Sequence, residues 1–261
     1  MSARIHVTFP VLNEEALLAS SIERTIAFCN QYNVEIHEFC IADNGSTDRT
    51  PQIGEMLAAR YPNLHYLRVG KRGFGLALKM AWDTTDADFV GYMDIDLATD
   101  LRHLKEVSDH IARGDGYELY LGSRLKHGAS VRNRTLLREL TSRMFNQLLR
   151  MRLGVSFSDA MCGFKFIDRN LYRRLADRFA FTDDWFFATQ LAVRAEWLGA
   201  RILDMPVDWT DQPDSKSSAR LINLSMLYLS GIAELREEKR RLDGSPAEAG
   251  RKSRMITRRD E

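Results

Sequence analysis

The chain has 261 residues, which at roughly 150 residues per domain fits one large domain or two small ones. Hydrophobic residues make up 44% and charged residues 28%, so the sequence can bury a sizeable core and excludes disorder, collagen and coiled coil. With 37 Lys+Arg against 36 Asp+Glu the net charge is +1, which removes any global electrostatic case for nucleic-acid binding and requires any basic surface to be local.

Residues 1–7 hold no apolar block of the kind a signal peptide needs, so none is expected. From there short β-branched or aromatic runs alternate with helical patterns up to residue 125, the signature of βαβ units around a largely parallel sheet. Strands are expected at Arg4 to Phe9, Glu35 to Ala42, Leu64 to Val69, Ala87 to Met93 and Glu118 to Gly122. Helices are expected near Glu14 to Asn30, Asp48 to Arg60 and Phe74 to Trp82. Thr47 or Asp48 caps the second of these, and Pro51 is tolerated in its first turn because no intrahelical donor is lost there.

Beyond Gly122 the pattern predicts an Arg-rich helix over Thr135 to Arg152, a short strand near Cys162 to Ile167, a helix over Asp184 to Leu198 and a strand at Arg201 to Met205. An amphipathic helix follows at Leu221 to Arg241. The apolar-rich stretch Leu221 to Leu235 is broken by Asn223, Ser225, Ser230, Gly231 and Glu234 and falls short of the ~20 residues that span a bilayer. The expected organisation is a single domain over 1–243 and a flexible basic tail over 244–261. Cys29, Cys40 and Cys162 are scattered, odd in number and without CxxC spacing, which predicts a reducing, cytoplasmic setting.

In an open α/β sheet ligands bind outside the carboxyl ends of the strands, and four consecutive strands here end in polar segments. These are Pro10 to Glu15, Asp43 to Asp48, Gly70 to Gly75 and Asp94-Ile95-Asp96. Asp94 and Asp96, at i and i+2, point to one side in extended geometry and suit a hard divalent cation, Mg²⁺ or Mn²⁺, shared with a diphosphate. A lone DxD reads more readily as two solvated turn carboxylates; its place after an apolar strand reverses this in favour of the ligand role. Asp43 is placed to accept from a base or ribose, or else to serve its turn. Gly70 to Gly75 has the spacing G-x-x-G-x-G and follows the third strand, so it is not a dinucleotide fingerprint. Gly73 and Gly75 permit close approach of a ligand or a neighbouring segment, with Lys71 or Arg72 offering charge.

In this order the blocks Phe9 to Glu15, Ala42 to Asp48, Gly73 to Gly75, Met93 to Asp96, Gly122 to Arg124, Cys162 to Lys165 and Pro206 to Trp209 resemble family 2 glycosyltransferases of the GT-A fold, over about residues 5–218. The fold class this implies is α/β, a Rossmann-like, mostly parallel sheet flanked by helices. Asp159 to Lys165 and Trp209 to Lys216 are most similar to the polyprenyl- and dolichyl-phosphate hexose synthases, particularly the glucosyl-type branch. The resemblance implies a sugar nucleotide, UDP-hexose by preference, with Pro10, Asn13, Glu14 and Arg72 near it and Asp43 at its base or ribose. Asp94 and Asp96 then take the metal and diphosphate, Lys216 comes over the diphosphate, and Arg124 and Arg134 take the acceptor phosphate. Asp159 orients the acceptor or the sugar, or caps the segment that follows it. The family pattern also implies an Asp at 188 and a Glu at 190, where this chain has Ala188 and Gln190; Asp183 and Asp184 either compensate or cap the helix.

Between Arg124 and Arg152 eight basic residues face one acid, Glu139, for a local charge of +7. Leu137, Leu140, Met144, Leu148 and Met151 recur at three- and four-residue intervals beside them. That pattern suits an interfacial membrane helix or a core-facing helix with a solvated basic face. No nucleic-acid motif accompanies it, so nucleic acid is not an expected partner. The leading expectation is an inverting hexosyltransferase that acts on polyprenyl or dolichyl phosphate, peripherally bound at the cytoplasmic membrane face. The alternatives are a relative with a soluble or polymeric saccharide acceptor, and a catalytically silent sugar-nucleotide-binding protein.

Overall fold

The computed structural model describes residues 3–211 and 218–243. The chain divides into two compact units, Met1–Asn146 with Phe157–Ser215, and Gln147–Ser156 with Lys216–Glu261, where the sequence reading takes residues 1–243 as one domain.

In the first unit the elements run β1 (Ile5–Val11), α1 (Leu18–Tyr32), β2 (Glu38–Asp43), α2 (Thr50–Arg60), β3 (Leu64–Arg68), α3 (Phe74–Thr84) and β4 (Phe89–Met93). There follow α4 (Arg102–Arg113), β5 (Leu119–Ser123), β6 (Ser130–Arg132), and α5 (Leu136–Leu153), which continues into the second unit. The first unit ends with β7 (Phe164–Asp168), α6 (Arg169–Arg178), α7 (Phe187–Trp197), β8 (Ile202–Pro206) and β9 (Asp208–Thr210). Helices α4 and α6 and the short strands β6 and β9 are additions to the expected elements.

Seven strands form one sheet in the order β3-β2-β1-β4-β7-β5-β8, and β6 pairs with β9 in a separate two-stranded ribbon. All neighbours in the large sheet are parallel except β7, which runs antiparallel to both β4 and β5. This reversal positions the site. The residues that precede β7 arrive at the edge where β1, β2, β4 and β5 end, and Met93 pairs with Phe164 there.

Alternation along β1 sets up two differently furnished faces. Ile5, Val7, Phe9 and Val11 join the main core with Leu18 and Ile22 of α1 and Leu104, Val107 and Ile111 of α4. On the other face His6 and Thr8 are buried and polar, and the Trp82 indole donates to the Thr8 hydroxyl at 3.1 Å. Thr8 passes the chain to His6 Nε2 at 2.8 Å, and His6 Nδ1 meets Glu38 at 2.8 Å. All three cysteines are buried free thiols, and burial pushes each up to about 12.

The second unit holds the end of α5 and α8 (Ser218–Asp243), with Leu149, Leu153, Ile232 and Leu235 buried. The Lys239 ammonium donates to the Leu153 carbonyl, which closes the C-terminal turn of α5. The predicted tail over 244–261 lies outside the described residues. Among the described residues no helix is long and apolar enough to cross a membrane.

Candidate active site

The loops after β1 and β2 are laced together by hydrogen bonds. Asn13 takes the left-handed backbone at φ 58°, which Asn tolerates better than most residues. Its amide N–H donates to Ser46 Oγ at 2.9 Å, and its Oδ1 accepts the Thr47 N–H at 2.7 Å. The Glu14 N–H donates to Thr50 Oγ1 at 2.8 Å. Asp43 is fully buried; its two oxygens accept the Ser46 N–H at 2.8 Å and the Tyr66 hydroxyl at 2.6 Å. The strand-end carboxylate therefore shapes its own turn. Pro10 stands one register step from the end of β1, opposite Ala42.

At α3 the two glycines are required by a neighbouring segment. A Cβ on Gly73 would stand 2.7 Å from the Asp183 carbonyl oxygen, and one on Gly75 would stand 2.6 Å from that of Thr182. Asp183 pairs with Lys71 and Lys79, each at 2.7 Å, while Asp184 accepts the Phe186 N–H at 2.8 Å in the turn ahead of α7, whose N-cap residue is Phe186. Gln190 is buried, and its Oε1 accepts from the Thr182 N–H at 2.9 Å and hydroxyl at 3.2 Å, so a neutral amide fixes this loop. Ala188 is buried as well. Arg72 is exposed on the loop before α3 and joins none of the ion pairs described here.

Asp94 and Asp96 do not continue β4 in extended geometry, as the i, i+2 argument supposes. They lie in a tight turn closed by the Leu97 N–H on the Asp94 carbonyl at 3.1 Å, with Leu97 in the left-handed region at φ 51°. The two carboxylates are nonetheless close enough to repel. Burial, followed by the Asp96 charge, pushes the Asp94 carboxyl above the usual carboxylate range; Arg124 and Lys165 oppose this. Asp96 is raised by burial first and by Asp211 as well, and its Oδ1 accepts the Ala98 N–H at 3.0 Å.

The space for the Asp94 carboxylate is made by Gly163, since a Cβ there would stand 1.8 Å from Asp94 Oδ2. The Asp94 N–H donates to the Gly163 carbonyl at 3.1 Å. A cavity of about 470 Å³ opens beside Asp96, lined among others by Arg24, Phe28, Arg102 and Trp209, a size common for small-molecule sites.

Arg124, just past β5, and Asp159, ahead of β7, meet through a two-pronged ion pair, Nε to Oδ2 at 2.7 Å and NH2 to Oδ1 at 3.0 Å. Asp159 also caps the segment that follows it by accepting the Met161 N–H at 3.0 Å. Although burial alone would raise it, the guanidinium holds the Asp159 carboxyl down at about 2. The Arg124 guanidinium lies 4.9 Å from the centre of the Trp209 ring. Burial and then repulsion from Arg124 lower the Arg134 pKa, while Arg134 Nε forms an ion pair with Glu139 Oε2 at 3.3 Å. Two guanidinium groups thus stand near enough to repel, each held by a carboxylate, Arg124 by Asp159 and Arg134 by Glu139.

The structure brings Asp94, Asp96, Arg124 and Asp159 to one edge of the sheet, with the Glu14 and Lys165 charges acting on Asp94. Lys216 lies outside the described residues. Sequence reasoning gives no role to Lys165, a fully buried ammonium that donates to the Tyr92 hydroxyl at 3.3 Å and to the Cys162 carbonyl. It also passes over Asp211, which accepts from the Trp209 indole at 2.6 Å and from Arg138 at 3.2 Å. Both fall inside blocks that the sequence singles out, and that was the available signal.

Among the described residues no three Asp, Glu, His or Cys side chains converge as a ligand set. Asp94 and Asp96 are the carboxylates at this edge that could hold a cation. Mg²⁺ and Mn²⁺ accept such a pair when phosphate and water oxygens complete the shell. Two carboxylates whose ionisation burial and mutual repulsion oppose fit that group.

Comparison with known proteins shows the family and the fold. Glycosyltransferase AglD of Haloferax volcanii is 33% identical over 214 residues, covering 81% of this chain and 34% of that protein, so the chain spans about a third of its length. Dolichyl-phosphate beta-glucosyltransferase ALG5C of Trichomonas vaginalis is 27% identical over 259 residues, covering 90% of this chain and 75% of that one. The GT-A fold is shown by glucosyl-3-phosphoglycerate synthase from Mycobacterium tuberculosis, solved with Mn²⁺, UDP and phosphoglyceric acid. It superposes with a TM-score of 0.67 at 19% identity, over 90% of this chain and 78% of that one. Residues 7–176, more than half of the chain, match the Glycosyl transferase family 2 model, and the chain belongs to that family.

Proposed function

We propose that this chain is an inverting hexosyltransferase that moves a sugar from a nucleoside-diphosphate donor, UDP-hexose by preference, to polyprenyl or dolichyl phosphate at the cytoplasmic face of a membrane to which it binds peripherally. The observation that carries the reading is the meeting of two charge sets at one sheet edge. Asp94 and Asp96 form a carboxylate pair that suits a cation, and beside it Arg124 and Arg134, fixed by Asp159 and Glu139, bring together two guanidinium groups of the kind that bind phosphate. Family membership supports glycosyl transfer, and relatives named as dolichyl-phosphate glucosyltransferases support the acceptor.

In this reading the loops at Pro10, Asn13, Glu14 and Asp43 bind the nucleotide, with Arg72 and Lys216 near its diphosphate. The metal, when bound, neutralises charge on the departing diphosphate. Asp94 and Asp96 are the residues that would hold it, and the loops around the nucleotide keep the anomeric carbon facing the acceptor. Arg124 and Arg134 hold the acceptor phosphate, with Arg124 itself fixed by Asp159.

A phosphate monoester has a second pKa of about 6 and is already an anionic nucleophile at neutral pH, so no strong general base is needed. One phosphate oxygen forms a bond to the anomeric carbon from the face opposite the diphosphate. The bond from that carbon to the diphosphate oxygen breaks, the nucleoside diphosphate leaves with the electron pair, and configuration inverts.

The test is a panel of sugar nucleotides incubated with polyprenyl phosphate and Mg²⁺ or Mn²⁺, with the lipid fraction read by mass spectrometry. A lipid-linked hexose from a UDP-sugar is expected. Transfer only to water-soluble phosphates or saccharides would replace the acceptor in this reading, and donor binding without any transfer would replace the activity.

A further inference from the structure

Over residues 136–146 α5 faces the reverse of what its composition favours, while Leu149 and Leu153 further along the helix are buried. Ser142 and Asn146 are buried, at 6% and 1% exposure, while Leu136, Leu137, Leu140 and Met144 are exposed at 88%, 66%, 57% and 64%. The buried side is held by polar bonds. Asn146 Oδ1 accepts the Ala160 N–H at 2.8 Å, its Nδ2 donates to the Ser142 carbonyl at 2.9 Å, and the Arg134 guanidinium donates to Ser142 Oγ. With 3.6 residues per turn, 136, 137, 140 and 144 share one side of the helix, opposite 142. Sequence periodicity left a membrane-facing and a core-facing stripe open for this segment, and the exposures decide for its first half: Leu137, Leu140 and Met144 point away from the first unit.

An outward ridge of large apolar side chains needs a cover. The charges around it say which. Arg143, paired to Glu139, is exposed on the same helix, and Arg132 and Lys126, the latter paired to Asp204, are exposed ahead of it; Asp159, Asp204 and Asp211 pair with the segment and leave its +7 at +4. A second copy of this chain seated on the ridge would bring like charges face to face, whereas an anionic lipid surface complements them.

We propose that this face of α5 seats the protein on an anionic bilayer, with Leu136, Leu137, Leu140 and Met144 entering the headgroup region and Arg143 lying beside them at the phosphates. The inference deepens the lipid-acceptor reading and rests on it for the choice of a membrane, while its physical basis is the ridge itself. An interfacial helix buries only the apolar face and leaves basic side chains at headgroup level, which matches the order of residues here.

The test is flotation of the full chain with phosphatidylcholine vesicles and with vesicles holding roughly 30% anionic phospholipid. The wild type is expected to float with the anionic vesicles and to be released by about 0.5 M salt to a large extent. The exposed triple variant Leu137→Glu, Leu140→Glu, Met144→Glu is expected to lose at least about tenfold in bound fraction. As a positive reporter, Leu140→Trp is expected to show blue-shifted fluorescence on the same vesicles.

Wild-type protein that stays in the aqueous fraction, or a triple variant that floats as well as wild type, overturns the proposal. So does a solution dimer that the triple variant dissociates, because the cover is then a second copy. Transfer to a water-soluble, short-chain prenyl phosphate separates this inference from the functional reading. The triple variant is expected to keep it, whereas its absence from wild type as well would count against the activity and leave the flotation result standing.

Discussion

Arg124 and Asp159, 35 residues apart in the chain, share one two-pronged ion pair at the edge where β5 ends and β7 begins, with contacts of 2.7 and 3.0 Å. The pair is buried on both sides, at 9% and 0% side-chain exposure. Asp159→Ala leaves a buried guanidinium without its counter-charge, and a loss of about 3–5 kcal/mol in unfolding free energy is expected from urea titration. Arg124→Lys keeps the charge but loses the fork, so a smaller loss in stability is expected together with a raised KM for the phosphate acceptor.

Asp96→Asn removes one charge from the carboxylate pair while keeping its shape and its bond from the Ala98 N–H. Turnover is expected to fall by at least about a hundredfold at saturating metal, with the fold intact by circular dichroism. Undiminished turnover would remove Asp96 from the chemistry.

Gly163→Ala tests the packing behind that pair. The added carbon would stand 1.8 Å from Asp94 Oδ2, so the carboxylate must move. Displacement of about 1 Å in a catalytic group costs up to a hundredfold, and a loss of that order in kcat is expected from single-turnover measurements.

The strands were legible where each is an apolar run bounded by turn residues, as Ile5–Val11 and Phe89–Met93 are. The direction of β7 was not, because Phe164–Asp168 reads as the same buried run in either orientation, and only pairing with β4 and β5 reverses it. Helix α4 buries just Leu104, Val107 and Ile111 along an otherwise charged stretch, too narrow a stripe to stand out. In the site, Asp94 and Asp96 were visible as a motif, but their tight turn depends on Leu97 adopting φ 51°, which no composition announces. Lys165 and Asp211 act through charges far away in sequence. For α5 the period was readable, and over residues 136–146 the side turned to the first unit is the polar one of Ser142 and Asn146.

The stability of the sheet is expected to depend on pH through Glu38. The His6 hydrogen bond holds its carboxyl at about 2, against an ordinary 4.5, with Thr85 adding to the effect and burial opposing it. Because the folded value is the lower one, the contribution is fully present above about 4.5 and is lost as pH falls towards 2. Between those limits the urea midpoint of wild type is expected to fall further than that of Glu38→Gln, by an amount worth about 1–3 kcal/mol. Parallel curves for the two proteins would assign the acid sensitivity elsewhere.

The most direct test of the carboxylate pair is calorimetric titration of UDP with and without Mn²⁺, in wild type and in the Asp94→Asn, Asp96→Asn double variant. Mn²⁺ is expected to tighten UDP binding to wild type by at least about tenfold and to leave the double variant unaffected. UDP affinity that is indifferent to Mn²⁺ in wild type, or an equal gain in the double variant, would contradict the holding of a cation against the diphosphate by Asp94 and Asp96.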